Sequence, residues 1–517
     1  MGGEPTLLTV DCGTQSTRGF IFSSQGELLA QAQEVYNPHL SPQPGWAEQD
    51  PNLYWEGMVR VIARLKEDSP RAFSALIGMG ITTQRATMIN VDEGGKVLRP
   101  AIVWLDQRRA EPGFASAGGK CLRWLVERGG VGRRLIQVQA QGKSNWIRQN
   151  QPEIWAKTHK YLQVSGFLNH CLTGEFADSI ASQIGHIPFD YKKQTWAGPG
   201  ALPHWLFPIP RAKLPHLVAP GQILGRVIPR VARKMGLPGG LPVVACGSDK
   251  GCETLGSGVL DSSRISLSFG TTATVQTNTK HYFEALPMMP PYPSPVPGHY
   301  SPEVEIFRGF WMISWFKAEF AHPEVVRARA EGIAPETLLD DCLHRTPPGA
   351  LGLVTHPYWG PGLDYPNARG SMVGFGAGHT RDHVYRSFIE GLGFGLREGM
   401  ERIMAKGGLA PVEAAVSGGA SQSDPICQIM ADILNLPMVR GRTHETSGLG
   451  AAILTAVGTG VFRDLSGAVA AMVSSSRIFY PRPENRGIYD ALYHRVYGKL
   501  APSLGKIHED IGAVLGA

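Results

Sequence analysis

Two stretches far apart in the chain share one pattern: an apolar run, a glycine-threonine break, and a second apolar run. The first is LLTVDCGTQSTRGFIFSSQG, with Leu7, Leu8 and Val10 before the break and Phe20, Ile21 and Phe22 after it. The second is RISLSFGTTATVQT, with Gly270 in the role of Gly13 and Thr271 in the role of Thr14. Short apolar runs bounded by turn residues predict β-hairpins, and glycine permits the sharp turn. The repetition predicts two related domains facing each other, with a boundary near residues 253–262.

The first turn carries more chemistry than a turn requires. Backbone N–H groups and the hydroxyls of Thr14, Ser16 and Thr17 are suited to cradle an anion. Arg18 suits a phosphate. Asp11, at the strand end, is placed to hold a divalent cation, directly or through water. The alternative is an ordinary polar hairpin turn. LPVVACGSDKGCETLGSG repeats the logic: an apolar strand, Val243 to Ala245, ends in small residues and one acid, Asp249, before a predicted helix.

Size and composition narrow the classes. A chain of 517 residues is too long for one core. Its hydrophobic content of 43% is that of a globular protein, and its net charge of +6 is mild for the length. No basic stripe interleaved with aromatics points to nucleic acid. Cys12, Cys121, Cys171, Cys246, Cys252, Cys342 and Cys427 are scattered, odd in number and without a C-x-x-C. That argues against a disulfide framework or a zinc site and fits a reduced, cytosolic protein. No apolar run reaches membrane-spanning length, and no signal segment leads the chain. MGGEPT meets the loose myristoylation pattern, but Glu4 and Pro5 read as a disordered lead-in.

Periodicity places the other elements. ALIGMGITTQ predicts a buried strand and its exit. NLYWEGMVRVIARLKED predicts a helix burying Leu53, Trp55, Met58, Val59, Ile62 and Leu65. KYLQVSGFLNHCLTG predicts a helix closed by Gly174. ALPMMPPYPSPVPGHYSP, rich in proline, predicts an extended surface loop without a packed core, with a lid or insertion as the alternative. DHVYRSFIEGLGFGLREGMERIMAK predicts a long helix. Its Gly391, Gly393 and Gly395 each cost about 1 kcal/mol relative to Ala, so close packing is expected there. AAVSGGASQSDPICQIMADILNLPM predicts strand, glycine turn and helix, with Asp424-Pro425 at the helix start.

Several familiar motifs fail. GKS at Gly142–Ser144 lacks the leading glycine of a Walker A loop, because Gln137 stands there. GFGAGH and GLGFGL miss the last glycine of G-x-G-x-x-G. Neither H-E-x-x-H nor G-x-S-x-G occurs.

Taken in order, the pieces make the chain resemble the FGGY family of carbohydrate kinases, from about Leu7 to Gly460. VDCGTQSTR is similar to the family's first phosphate loop, and LSFGTTATV to the second. GITTQRAT and AIVWLDQRR are similar to its sugar-site strand and W-x-D-x-R element. KSNWIRQNQPEIW resembles its first signature, with Ser144 where an apolar residue is usual. CGSDKGCETLGSG resembles the segment of the catalytic Asp. RGSMVGFGAGHTRDHVYRSFIEG resembles the second signature, with Phe375 and Phe388 in place of smaller aliphatic types. SGGASQSDPICQIMADILNLPM resembles the adenosine loop and its helix, with Ser417 where another Gly is frequent.

The resemblance implies an α/β fold of two actin-like (ribonuclease-H-like) domains flanking a catalytic cleft. Residues 5–255 would form the sugar-binding domain with the catalytic Asp, and residues 256–517 the nucleotide-binding domain. It implies Asp249 as general base, also near the metal, and Asp11 as a holder of Mg²⁺. Thr14, Arg18, Gly270 and Thr271 match phosphate-loop positions, and Gly418, Gly419, Ala420 and Ser423 match the nucleotide loop. Arg85, Trp104 and Asp106 lie on substrate-side motifs; for Trp104 a packed core position and for Arg85 a structural ion pair are the alternatives.

ATP with Mg²⁺ is then the expected cofactor and a small sugar or polyol the expected partner, with no nucleic acid or membrane; a homodimer is compatible with the sequence. The T-x-Q-R run is similar to that of glycerol kinases, which continue with Glu where this chain has Ala86, so glycerol is disfavoured. Xylulose-type kinases usually carry Gln-Met-His where this chain has Gln84-Arg85-Ala86. A ketose or polyol remains, with pentuloses such as xylulose leading. The reading from another class is a non-catalytic actin-like nucleotide switch.

Overall fold

The computed structural model describes residues 4–36, 39–111, 130–360, 365 and 367–515. Cys121 and the first three residues of MGGEPT lie outside them. The chain divides into two compact units. Unit 1 comprises Met1–Gly256, Tyr292–Tyr300 and Ser447–Met472; unit 2 comprises Ser257–Pro291, Ser301–Thr446 and Val473–Ala517.

In unit 1 the opening stretch forms the predicted hairpin of β1 (Thr6–Cys12) and β2 (Ser16–Ser23), continued by β3 (Leu28–Val35). Helix α1 (Asn52–Asp68) follows, then β4 (Leu76–Thr83) and α2 (Val164–Thr173). After these come β5 (Ile223–Arg226), β6 (Pro242–Val244) and α3 (Asp249–Gly256). The strands make one six-stranded sheet in the order β5-β6-β4-β1-β2-β3. β4 runs parallel to both β1 and β6, and the other pairings are antiparallel.

The core of unit 1 joins Leu8 and Val10 of β1, Met79 and Ile81 of β4, and Leu168 and Leu172 of α2. α1 buries Tyr54, Met58, Val61, Ile62 and Leu65, whereas Leu53, Trp55 and Val59 of the expected stripe are only partly buried. The shift follows from Gly19, whose missing side chain leaves room for Val61 and Leu65. The helix expected from Lys160 starts instead at Val164 and ends at left-handed Gly174. Lys160–Gln163 is a strand paired with Met88–Val91. Tyr161 and Leu162 thus belong to a period of two, not of 3.6.

Unit 2 repeats the plan. β7 (Arg264–Phe269) and β8 (Ala273–Gln276) form the second predicted hairpin, extended by β9 (Glu303–Ile306). α4 (Arg381–Gly407), β10 (Glu413–Ser417), α5 (Asp424–Leu434) and β11 (Met438–Gly441) follow. α6 (Thr446–Gly458) packs in unit 1, and β12 (Ser475–Phe479) closes the second sheet. Its six strands run β9-β8-β7-β10-β11-β12, with β10 parallel to β7 and β11. Each sheet is therefore an antiparallel three-strand meander, two further parallel strands and an antiparallel edge. The one difference is that the edge strand precedes its neighbour in unit 1 and follows it in unit 2.

The glycines of α4 are explained by packing. A Cβ at Gly391 would lie 2.6 Å from the Thr355 carbonyl oxygen, and Cβ atoms at Gly393 and Gly395 would lie 2.7 Å from Ile433 and Ile306. The proline-rich segment is not the expected surface loop. Pro293 and Pro295 are buried, and Ser294 is 2% exposed. Pro295 rests on Gly247 and Gly251, where a Cβ would approach its ring to 2.8 and 3.0 Å. Proline rings pack well on bare backbone, and neither glycine offers a side chain to compete.

α6 meets α3 in the same way, through Gly450, where a Cβ would run into the carbonyl oxygen of Cys252. Gly450→Ala is expected to cost at least about 1–3 kcal/mol by overpacking and to lower the thermal midpoint by several degrees. Gly467→Ala, whose new Cβ meets only the Asp464 carboxylate at 3.6 Å, should leave it unchanged.

Candidate active site

Parallel β1, β4 and β6 leave unit 1's sheet at the same edge. Their carboxyl ends deliver Asp11, the Gln84-Arg85-Ala86 turn and the loop to Asp249. Crevices outside the carboxyl ends of parallel strands are where open α/β sheets bind ligands.

Asp11 is 4% exposed and pairs across the hairpin with Arg18, whose Nη2 lies 2.6 Å from Oδ2. The Ser447 hydroxyl donates to the same oxygen at 2.7 Å. Arg18 therefore stands on a carboxylate rather than pointing outward alone. Thr14 is engaged too: its hydroxyl donates to Gln84 Oε1 at 2.8 Å and accepts from Trp104 Nε1 at 2.9 Å. Trp104 is 40% exposed, which rules out the packed-core alternative.

Asp249 is the first residue of α3, and its Oδ1 accepts from the Lys250 backbone N–H at 2.8 Å. Arg85 Nε stands 3.8 Å from the same oxygen, and its guanidinium lies over the Tyr292 ring, 5.1 Å from the centroid. Burial pushes the Asp249 carboxyl up to about 6, against the pull of the Arg85 and Lys250 charges and with a smaller push from Asp11. A third of the side chain, 34%, still meets solvent, and the water that reaches it limits how far burial can raise it. The group is thus open to a ligand and titrates near neutrality. Tyr292 comes from the proline-rich segment, and no sequence signal linked it to Arg85.

Asp106 is a correction. Its side chain is fully enclosed, and Arg108 takes both carboxylate oxygens through Nε and Nη2 at 2.7–2.9 Å. The Ala47 N–H donates to Oδ2 at 2.7 Å. Glu48 holds the other side of Arg108 at 2.8 Å, and the guanidinium lies 3.8 Å from the Trp46 ring centroid. No surface of Asp106 is left to touch a substrate, so it positions the Trp104 turn instead.

In unit 2, Gly270 and Thr271 form the turn between β7 and β8, and Gly418 leaves adjacent parallel β10. Gly418 has φ +84, and a Cβ there would lie 2.8 Å from the Phe269 carbonyl carbon and 3.0 Å from the Gly270 nitrogen. The two glycine loops touch backbone to backbone, which only glycine at 418 permits. Gly419 and Ala420 lie in the short 3-10 turn Gly419–Gln422. The Ser423 side chain accepts from the Ile426 N–H at the start of α5 and donates to Asp340 Oδ1 at 2.5 Å. That hydroxyl caps a helix and is not turned to an open loop.

A doubled sheet of this topology with polar loops at the carboxyl ends defines the two-domain actin-like class. The N-terminal domain of the FGGY carbohydrate kinases matches residues 6–256, and the C-terminal domain matches residues 265–459. The chain is 30% identical over 499 residues to an uncharacterized sugar kinase, YgcE, of Escherichia coli K12, covering 96% of this chain and 93% of that one. It is 27% identical to a xylulose kinase of Lactococcus lactis, covering 94% and 95% of the two chains. The crystal structure of xylulose kinase from Rhodospirillum rubrum superposes with a TM-score of 0.81 at 26% identity, covering 98% of this chain and all of the other. The chain belongs to the FGGY family of carbohydrate kinases, and is a phosphotransferase of that kind.

Asp106→Asn should behave as a stability variant. Weakening a buried ion pair is expected to cost about 3 kcal/mol, read as a lower urea midpoint. Trp104→Ala, at an exposed ring, should leave the unfolding free energy within about 0.5–1 kcal/mol of the parent protein.

Proposed function

We propose that the protein transfers the γ-phosphoryl group of Mg-ATP to a hydroxyl of a small sugar or polyol, with open-chain ketoses of the xylulose type as the leading acceptors. The observation that carries this reading is Asp249: an accessible carboxylate raised towards neutrality, facing a guanidinium that an aromatic ring holds in place. The relatives named as sugar and xylulose kinases support the same acceptor class.

In this reading Asp249 accepts a hydrogen bond from the acceptor hydroxyl, orients its oxygen and collects the proton as the bond to phosphorus forms. A free Asp, near 3.9, would be a weak base; the raised carboxyl is better matched to the task. Arg85 keeps enough of it ionised at pH 7 to act. The nucleotide belongs to the glycine loops of unit 2, where Gly270, Thr271, Gly418, Gly419 and Ala420 expose backbone to phosphate and nucleoside. Ser423 acts there by capping α5.

Mg²⁺ characteristically takes one or two carboxylates and completes its shell with phosphate oxygens and water. Asp11 and Asp249 fit that set, being close enough for Asp11 to raise the Asp249 carboxyl. Asp11 already accepts from Arg18 and Ser447 at Oδ2, so its share would fall to its other oxygen or to a bound water. The ion would neutralise charge on the phosphates. No helix among the described residues is long and apolar enough to cross a membrane; a cytosolic setting and a small-molecule partner complete the reading.

A coupled ADP-release assay with D-xylulose, D-ribulose, glycerol and D-gluconate tests it. Acceptor-dependent ADP release is expected, and Asp249→Asn should lower kcat at least about a hundredfold while nucleotide binding persists. ADP release that no acceptor stimulates would favour the nucleotide switch.

The pH profile follows from the same group. The base form is the deprotonated one, so kcat/KM should fall as pH drops through about 6. Arg85→Gln removes a cation that favours the carboxylate, so the acid limb should move to higher pH. A limb that stays in place would show that Arg85 does not act on Asp249.

A further inference from the structure

The turn that carries Arg85 continues into an unusual backbone. Ala86 has φ +56, a left-handed conformation rare for a residue with a Cβ. Strain of this kind costs about 1–3 kcal/mol and collects at functional sites. Its side chain ends at Cβ, and Gly185 comes up against it: a Cβ on Gly185 would lie 3.1 Å away. Two residues that could have filled this space are thus the smallest available.

Contacts close a circuit around the same place. Trp104 bonds Thr14, and Thr14 bonds Gln84, which leads through Arg85 to Ala86. Gly185 leads to His186, and the Lys143 ammonium is near enough to His186 to oppose a second positive charge. Lys143 Nζ donates to the Val103 carbonyl at 2.7 Å, and Val103 precedes Trp104. Tyr191 ties the loop down, its hydroxyl bonded to the Gly185 N–H at 3.1 Å and carbonyl at 3.2 Å. Its ring centroid lies 6.3 Å from that of Tyr292, beneath Arg85.

His186 stands out in this circuit. It is half-buried, its ring is tilted on Phe207 at 5.5 Å, and neither nitrogen is hydrogen-bonded among the described residues. Every other polar side chain of the circuit has a partner. Resting on the kinase reading above, we propose that His186 is a specificity-determining residue that hydrogen-bonds a second hydroxyl of the acceptor, distinct from the one that reacts.

The chemistry selects a hydroxyl. Burial and Lys143 push the imidazole down to about 4, so it is neutral at pH 7. A neutral imidazole offers one N–H and one lone pair, and a hydroxyl is likewise donor and acceptor at once. A carboxylate only accepts, so it could take the ring N–H but would leave the ring lone pair unmet. Lys143 itself is turned to the Val103 carbonyl. At this ring a hydroxyl is therefore a better match than a carboxylate.

The test compares the parent protein with His186→Phe, which keeps an aromatic ring for Phe207, and His186→Asn, which keeps a donor and an acceptor. Each is assayed for ADP release with D-xylulose, D-ribulose, glycerol and D-gluconate. The expected result is turnover of at least one of these acceptors by the parent and a KM for that acceptor raised about tenfold in His186→Phe. The KM for ATP and the thermal midpoint should be retained, and His186→Asn should recover much of the loss. Parent activity with an unchanged acceptor KM in His186→Phe overturns this inference and leaves the kinase reading standing. So does loss of the folding transition in both variants, which would assign His186 to packing. A parent protein inactive with every acceptor overturns the kinase reading and this inference with it.

Discussion

Parallel pairing of β4 with β1 on one side and β6 on the other is the constraint on which the rest of unit 1 depends. Parallel neighbours end at the same edge, so three separate chain exits deliver Asp11, Arg85 and Asp249 to one place. Antiparallel neighbours would have sent alternate exits to opposite edges. Register matters as much as direction. Asp11 lies opposite Thr82 on β4 and Arg18 on β2. A slip of one residue would turn its carboxylate to the other face of the sheet and separate it from both Arg18 and Ser447. Unit 2 obeys the same rule, with Ser268 opposite Ser417 bringing the two glycine loops into backbone contact.

What the sequence made legible was local or repeated. The hairpins were readable because apolar runs and a glycine turn fit within some twenty residues. α1 and α4 were readable from period, and Asp249 because an acid that ends an apolar strand and opens a helix is a local pattern. The glycines of α4 were readable as a demand for close packing, though Thr355, Ile433 and Ile306 were not nameable. What stayed hidden depends on residues distant along the chain. Ser447 reaches Asp11 and Tyr292 lies under Arg85 only because of the fold. The proline-rich segment misled because composition reports the absence of regular hydrogen bonding, whereas burial there depends on Gly247 and Gly251 offering bare backbone. Asp106 misled for a related reason: a motif shows that an acid is required and not which way it faces.

Three of the carboxylate–guanidinium pairs near the site differ in a way that assigns them different work. Asp106 and Arg108 are bidentate, enclosed and backed by Glu48 and Trp46. Asp11 and Arg18 are tight at 2.6 Å but half of the pair is open, with the Arg18 side chain 35% exposed. Arg85 and Asp249 stand 3.8 Å apart, with both side chains accessible. A tight, enclosed pair fixes geometry and leaves its acid no open oxygen, which suits a scaffold and disqualifies a base. A loose pair leaves the acid near its titration point and leaves room for a third party at the carboxylate.

The gradient also accounts for where strain is tolerated. The Trp104 turn hangs from the Asp106–Arg108 pair, and the Ala86 turn is flanked by Gly185, whose N–H and carbonyl both bond the Tyr191 hydroxyl. A left-handed alanine persists only where its surroundings over-determine it. Here those surroundings are Gly185 and Tyr191. The enclosed Asp106–Arg108 pair is satisfied, whereas Asp249 is loosely paired and His186 makes no hydrogen bond among the described residues. A pocket whose polar groups were all satisfied in the absence of a ligand would have little left with which to select one.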